Sequence, residues 1–238
     1  MVRILSLETS TTVCSVALHE NGSLLAAAEV HLEHSHGSKL AQLIDAVVKF
    51  SGFGMADITA VAVSSGPGSY TGLRIGTSTA KGICFSLNIP LIAIDTLAIL
   101  SEQMNKTNIG RSLLCPMIDA RRMEVYCSVA DADGSVVQGV EAKIIDEKSF
   151  EVLLNGRRIV FFGNGAEKCR SVITHSNAAF VDGITPSVVQ LGFMATRKFE
   201  RGQFEDLYHF EPFYLKEFKA KKPSNFMDAA NETNREIC

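Results

Sequence analysis

The 238-residue chain contains no tryptophan, an absence that by itself decides nothing about its fold. Other absences exclude more. No apolar run approaches the ~20 residues that span a bilayer, so no transmembrane helix is expected. The opening "MVRILSLETS" is too short in its apolar part for a signal peptide and reads directly as a strand. The six cysteines (Cys14, Cys84, Cys115, Cys127, Cys169, Cys238) form no CxxC pair and no tight cluster, and most lie in apolar contexts. Buried free thiols in a reducing cytoplasm are therefore expected, not disulfides or a zinc site. Charge of one sign is lacking too: the net charge of −3 gives no global attraction to nucleic acid, although local basic patches remain compatible with it.

What is present is an ordinary soluble composition, 46% hydrophobic and 21% charged, in a chain long enough for one large core or two modest lobes. Residues 2–7, 13–19 and 24–30 are β-rich runs, with Asn21-Gly22 as a hairpin signal between the second and third. Leu40, Leu43, Ile44, Val47 and Val48 recur at helical spacing over residues 36–51. A buried strand at 60–64, a helix at 71–87, a strand in "IPLIAI" and a helix at 96–103 follow. After the polar break "MNKTNIGRS", the grammar restarts. Strands are expected at 113–118, 124–130 and 136–145, with Asp133-Gly134 turning a hairpin. Helices at 147–154, 166–173 and 187–201 alternate with strands at 159–162 and 178–181. Two halves that each open with three meandering strands and pass to alternating helix and strand predict two related α/β lobes, residues 1–105 and 106–218. Residues 219–238 are polar, lack a core pattern and read as a mobile tail.

The most punctuated stretch is "SSGPGSYTGLRIG", residues 64–76. It is no Walker loop, because Gly66 and Gly72 are six apart and Lys81 lies far along the following helix. A dinucleotide loop fails as well. The third glycine comes one residue late, Pro67 removes an N–H, and Asp95 is too distant to be its acidic partner. The helix after the loop offers another use for the glycines. Gly72, Gly76 and Ala80 fall at i, i+4 and i+8, a face of small residues flanked by Thr79 and Ile83. Interior glycines cost up to ~1 kcal/mol each against alanine, so close packing is expected there. Two versions stay open: packing onto this chain's own sheet or neighbouring helix, or a protein–protein interface.

No catalytic constellation assembles. His31, His34 and His36 lie close in "HLEHSHGSKL" but lack further ligands, and a polar surface turn is the simpler reading; no HExxH occurs. His19, His175 and His209 are isolated. Glu8, followed by Thr9, Ser10, Thr11 and Thr12, is the best lone carboxylate, in a turn able to bind a phosphate through amides and hydroxyls and equally good as a plain β-turn. Arg121-Arg122, after "MIDA", could hold an anion or be a solvated turn. Ser69 and Tyr70 are nucleophile candidates in principle, but the sequence names no base for them.

The segments "ILSLETSTTVCSVAL", "SGPGSYTGLRIGTSTAKG", "IDTLAIL", "MIDARRMEVYCSV" and "EPFYLKE" together resemble the TsaB (YeaZ) family, in order from about residue 3 to 217. That family lies in the glycoprotease-like branch of the actin/sugar-kinase/heat-shock ATPase fold. The resemblance implies two actin-like (ribonuclease H-like) lobes and a cytoplasmic, noncatalytic subunit with no cofactor or metal of its own. It would serve in making threonylcarbamoyladenosine beside the anticodon of tRNA. It further implies a TsaD-like catalytic paralogue and a TsaE-like ATPase as partners, self-association as a homodimer, tRNA contact through the complex, and no membrane. The partner surface then maps onto two helices: His36, Leu40, Leu43 and Val47 on the first, and Thr71, Gly72, Ile75, Gly76, Thr79, Ala80 and Ile83 on the second. Glu8 stands where many relatives carry aspartate, and Met123 where they usually carry glycine. A competing reading keeps the chain as an enzyme in its own right, an ATP-dependent transferase using residues 8–12 or a glycoprotease-type peptidase. Direct tRNA contact through Lys219, Lys221 and Lys222 is a further possibility.

Overall fold

The computed structural model describes residues 1–33, 35–108 and 110–216. His34 and residues 219–238, with Lys219, Lys221, Lys222 and Cys238, lie outside the described residues. The chain opens as read: β1 (Arg3–Glu8), β2 (Cys14–Glu20) and β3 (Ser23–Val30) form an antiparallel meander. Asn21 and Gly22 make its second turn at φ of 47° and 81°, a region these two residue types enter readily. After α1 (His36–Phe50), β4 (Ala60–Gly66) and β5 (Leu91–Asp95) join the sheet in parallel around α2 (Tyr70–Leu87), and α3 (Thr96–Asn105) follows. The strand order is β3-β2-β1-β4-β5.

The second half repeats this topology. β6 (Leu113–Asp119), β7 (Glu124–Ala130) and β8 (Val136–Ile144) form the meander. β9 (Ile159–Phe162) and β10 (Ala178–Val181) then add in parallel. The order β10-β9-β6-β7-β8 is the first sheet's order read from the other edge. Two mixed five-stranded sheets with flanking helices, related in topology, are the two actin-like lobes expected.

The inner strands of each sheet are apolar on both faces because both faces are covered, while the edge strands β3 and β8 stay largely exposed. In the first, Leu5, Leu7, Val16, Leu18, Val61 and Val63 meet Leu40, Ile44 and Val47 of α1 and Ala80 and Cys84 of α2. Ile4, Ala62, Ile92 and Ile94 point the other way, onto Leu191 and Ala195 of α5 (Val188–Glu200). The period of two along each strand sorts the side chains between these cores. α3 sits between the lobes: Ile99 belongs to the α5 side of the first sheet, while Leu97 and Leu100 pack on Leu114, Ile118 and Phe162 of the second.

Two segments depart from the sequence reading. Residues 166–173, expected as a helix, hold only a 3₁₀ turn at Glu167–Cys169, continued by further i to i+3 bonds. The backbone before it is tethered, for Gly165 lies so close to Ile118 and Asp119 that a side chain there would collide with their backbone. The expected helix over 147–154 starts late, as α4 (Glu151–Gly156). Asp146 Oδ1 accepts from Lys148 N and Ser149 Oγ, and Phe150 takes φ of 65°, so a turn occupies the expected first half. A third finding concerns where the chain goes after the second sheet. α5 and the following strap return to the first lobe, where Lys198 Nζ donates to the Ala93 carbonyl at 2.8 Å and Glu205 N to the Leu91 carbonyl at 2.9 Å.

Candidate functional site

β1 ends at Glu8, and residues 9–13 turn the chain into β2. Glu8, Thr9, Ser10 and Thr11 are buried; Thr12 is exposed. Glu8 Oε1 accepts from Ser10 N at 2.7 Å. Burial pushes the Glu8 carboxyl up to about 7, with smaller opposing pulls from Ser10, Ser64 and the Thr9 backbone. A half-neutral carboxyl inside the protein is a poor fixed negative charge.

The cover of this turn is the loop and helix that carry the glycines. Ser69 N donates to the Ser10 carbonyl at 2.7 Å, and Thr9 Oγ1 donates to the Gly72 carbonyl at 2.8 Å. Ser69 Oγ caps α2 by accepting from Gly72 N at 3.3 Å. A Cβ on Gly68 would overlap the Ser10 carbonyl, one on Gly72 the Thr9 carbonyl, and one on Gly76 the Thr9 hydroxyl. The small-residue face of α2 therefore closes onto the β1–β2 turn of its own chain, and the propensity given up at these glycines is offset by this contact.

The residues mapped onto the two helices divide accordingly. Gly72, Gly76 and Ala80 are buried within the chain, as are His36, Leu40 and Val47. Leu43, Ile75, Thr79 and Ile83 are half-buried, and Thr71 is exposed. Two aromatic residues on these helices went unnoticed in the sequence: Phe50, 86% exposed, and Phe85, 68% exposed. Their signal was phase. Both fall off the helical stripes that bury Leu40, Ile44 and Val47 on α1 and Leu73, Ala80 and Cys84 on α2.

The second lobe presents the equivalent turn, from Asp119 at the end of β6 to Glu124 at the start of β7. Arg121 and Arg122 take φ of 69° and 52°, a left-handed pair that costs about 1–2 kcal/mol per residue for side chains of this kind. Met123 follows without a positive φ, so its position makes no demand for glycine. Lys168 Nζ holds the turn, donating to Asp119 Oδ1, to the Arg122 carbonyl and to the Glu124 carbonyl. Arg121 N donates to Asp119 Oδ1 at 2.9 Å. The Arg121 and Arg122 guanidinium groups have no hydrogen bond or ion pair among the described residues and point to solvent.

The strap after α5 links both turns. Lys81 Nζ donates to the Tyr208 and Phe210 carbonyls, and Phe213 N to the Ser65 carbonyl at 2.7 Å. Tyr214 packs against Tyr70 with ring centres 4.9 Å apart and planes tilted by 44°, and Arg74 lies over Tyr70 at 4.4 Å. Lys216 pairs with Glu124. Two residues of chain thus carry the strap from the first lobe's loop to the second lobe's turn.

The two described members of the histidine cluster do not converge. His31 Nε2 lies 2.9 Å from Glu29 Oε1 at the surface, whereas His36 turns inward at the start of α1. Among the described residues no group of three or more histidine, cysteine or acidic side chains is placed to hold a metal ion. Cys14, Cys84, Cys115, Cys127 and Cys169 are free and buried, as read. No described helix is long and apolar enough to cross a membrane.

Comparison with known proteins fits this geometry. A family model described as TsaD, tRNA N6-adenosine threonylcarbamoyltransferase, matches residues 30–223. The Escherichia coli "tRNA threonylcarbamoyladenosine biosynthesis protein TsaB" is 29% identical over 224 residues, covering 90% of this chain and 95% of that protein. The solved structure of YeaZ from Pseudomonas aeruginosa superposes with a TM-score of 0.77 at 24% identity, covering 90% of this chain and all of that one. An activator of 2-hydroxyisocaproyl-CoA dehydratase from Clostridium difficile, solved with ADPNP, shares the fold at a TM-score of 0.51 and 10% identity, over 85% of this chain and 96% of that one. With a family model covering most of its length and a TsaB relative aligned end to end, the chain belongs to the threonylcarbamoyltransferase (TsaD) family, in its TsaB (YeaZ) branch.

Proposed function

We propose that this chain is a noncatalytic scaffold subunit of the machinery that places threonylcarbamoyl on an adenosine of tRNA, the pathway named for its TsaB relatives. In this reading it pairs with a TsaD-like catalytic paralogue and works beside a TsaE-like ATPase. The protein resides in the cytoplasm, self-associates when the paralogue is absent, and meets tRNA within the complex. The observation that carries the noncatalytic part is the closed β1–β2 turn. Glu8 is fully buried, and the space above Thr9 and Ser10 is filled by the backbone of Gly68, Gly72 and Gly76. In this packing the Ser10 amide is taken by Glu8, the Thr9 hydroxyl by Gly72 and the Ser10 carbonyl by Ser69, and glycine backbone occupies the space a phosphate would need. The partner surface is the outer side of α1 and α2, through Leu43, Thr71, Ile75, Thr79 and Ile83, widened by the exposed rings of Phe50 and Phe85. Large exposed aromatics of this kind are typical anchors in docking surfaces.

The deciding experiment is reconstitution. The isolated chain should turn over no ATP, and tRNA modification should require it together with the TsaD-like and TsaE-like proteins. Robust ATP hydrolysis by the chain alone, lost on Glu8→Ala, would sink the scaffold reading in favour of an independent transferase.

A further inference from the structure

We propose that the β6–β7 turn carrying Arg121 and Arg122 is a contact site for the phosphates of an RNA backbone. The choice of RNA as the polyanion rests on the reading above; the site itself rests on the turn. Two consecutive arginines occupy the left-handed region, at φ of 69° and 52°. A turn shaped only for its backbone would carry asparagine or glycine there, since these enter the region with little or no strain. What the arginines add is side chain: two planar donor forks suited to phosphate oxygens.

Among the described residues no carboxylate pairs with either guanidinium. The nearby carboxylates are engaged elsewhere, Asp119 by Lys168 and Glu124 by Lys216. Neither guanidinium has a hydrogen bond or ion pair among the described residues. In a chain of net charge −3, the arginine pair is a local cationic spot and not a share of a general field.

The turn is rigid. Lys168 Nζ ties Asp119 Oδ1 and the carbonyls of Arg122 and Glu124 together, and Arg121 N closes on Asp119. A preorganised turn loses little further backbone freedom on binding. It is also open, for both arginines stand on an exposed tip. An exposed tip grips a chain of phosphates passing over it better than one small ligand that must be enclosed.

The test is the double variant Arg121→Asn with Arg122→Gly in the full-length protein. It removes both charges and substitutes the residues that the backbone itself prefers. Fluorescence anisotropy with a labelled unmodified tRNA transcript reads binding at several salt concentrations. The variant should bind about tenfold or more weakly, and the slope of log K against log salt should fall by about 1–2, one counterion-release step per lost phosphate contact. Its melting temperature should stay level or rise, which separates the loss from unfolding. The double lysine variant should keep most of the slope. Unchanged binding and slope in the Asn/Gly variant would overturn the proposal, as would absence of tRNA binding by the wild type. Competition by free ATP at the same arginines would assign the site to nucleotide phosphate. Loss of pairing with the catalytic paralogue and unchanged tRNA binding would assign it to a protein partner. Failure here leaves the need for the chain in reconstituted modification intact, so the two readings fall separately.

Discussion

Thr9 Oγ1 donates to the Gly72 carbonyl at 2.8 Å, fastening the end of the first strand to the first turn of α2 across 63 residues of sequence. The bond sits inside a contact in which Gly68, Gly72 and Gly76 have no room for a side chain. One feature of the fold thus explains the glycines, the burial of Glu8 and the fixed placement of α2, the helix on which the proposed partner surface rests.

Gly76→Ala should destabilise the protein, because the added methyl would collide with the Thr9 hydroxyl and the helix cannot retreat without breaking the Ser69–Ser10 and Thr9–Gly72 hydrogen bonds. Overpacking of this kind costs about 1–3 kcal/mol, outweighing the ~1 kcal/mol gained in helix propensity. Urea denaturation of Gly76→Ala, Thr9→Ala and the double variant gives the coupling. The double variant should be less destabilised than the two singles summed, since Thr9→Ala removes the colliding hydroxyl. Strict additivity would mean the two residues do not meet.

Two buried groups shape the pH dependence in opposite senses. Glu8 is raised to about 7 by burial, from 4.5, so the folded state holds a proton that the unfolded state has released, and stability falls as pH rises across that window. His19, buried on β2 against Phe193, is lowered by burial to about 4 from 6.5, so stability rises with pH between those values. Each is worth on the order of 3 kcal/mol at full extent, and the windows overlap. The wild type should therefore be comparatively flat between pH 4.5 and 6.5. Glu8→Gln should gain stability toward pH 8 and show a rising profile, while His19→Leu should show a falling one. Denaturation midpoints at pH 5, 6.5 and 8 test this; parallel profiles for all three proteins would refute it.

The five buried thiols should be silent toward an aqueous disulfide reagent until the protein unfolds. Desolvation pushes Cys14, Cys84 and Cys169 up to about 11 and holds Cys115 well above the usual thiol range, so the reactive thiolate is scarce as well as shielded. In a Cys238→Ser background, thiol titration should give no rapid phase in buffer and five equivalents in denaturant. A rapid equivalent in buffer would identify a thiol exposed by local opening.

Much of this architecture was legible in the sequence. Periodicity and turn pairs such as Asn21-Gly22 and Asp133-Gly134 carry local information, and they placed both meanders and all ten strands. The small-residue spacing of Gly72, Gly76 and Ala80 announced a close contact but not its partner. A spacing describes one surface, and the Thr9 carbonyl opposite lies 63 residues away. The short turns at 147–150 and 166–173 failed for a related reason: composition favours helix there, while Asp146 and the tether of Gly165 to β6 decide otherwise. The left-handed Arg121 and Arg122 gave no signal, because arginine is not a residue from which positive φ is inferred. His19 against Gly192 was equally hidden, two residues 173 positions apart that touch only once α5 returns to the first sheet.

The partner surface can be tested without touching the core, because the structure separates residues that hold α2 in place from those that it displays. Gly76 and Ala80 belong to the first group, so a loss of pairing in a Gly76 variant would confound docking with folding. Phe85 belongs to the second: it is largely exposed, off the buried stripe, and four residues beyond Lys81, which ties α2 to the strap. Phe85→Glu should leave circular dichroism and the denaturation midpoint within about 0.5 kcal/mol of wild type, as exposed substitutions do. It should weaken pairing with the TsaD-like paralogue by tenfold or more, the loss expected when an aromatic anchor is replaced by a charge. Thr71→Glu, at the other end of the helix, should act in the same direction. Light scattering of the mixed proteins, with isothermal titration for affinity, reads both. If both variants pair with wild-type affinity, the docking surface lies elsewhere, and the aromatic ring at Phe85 needs another explanation.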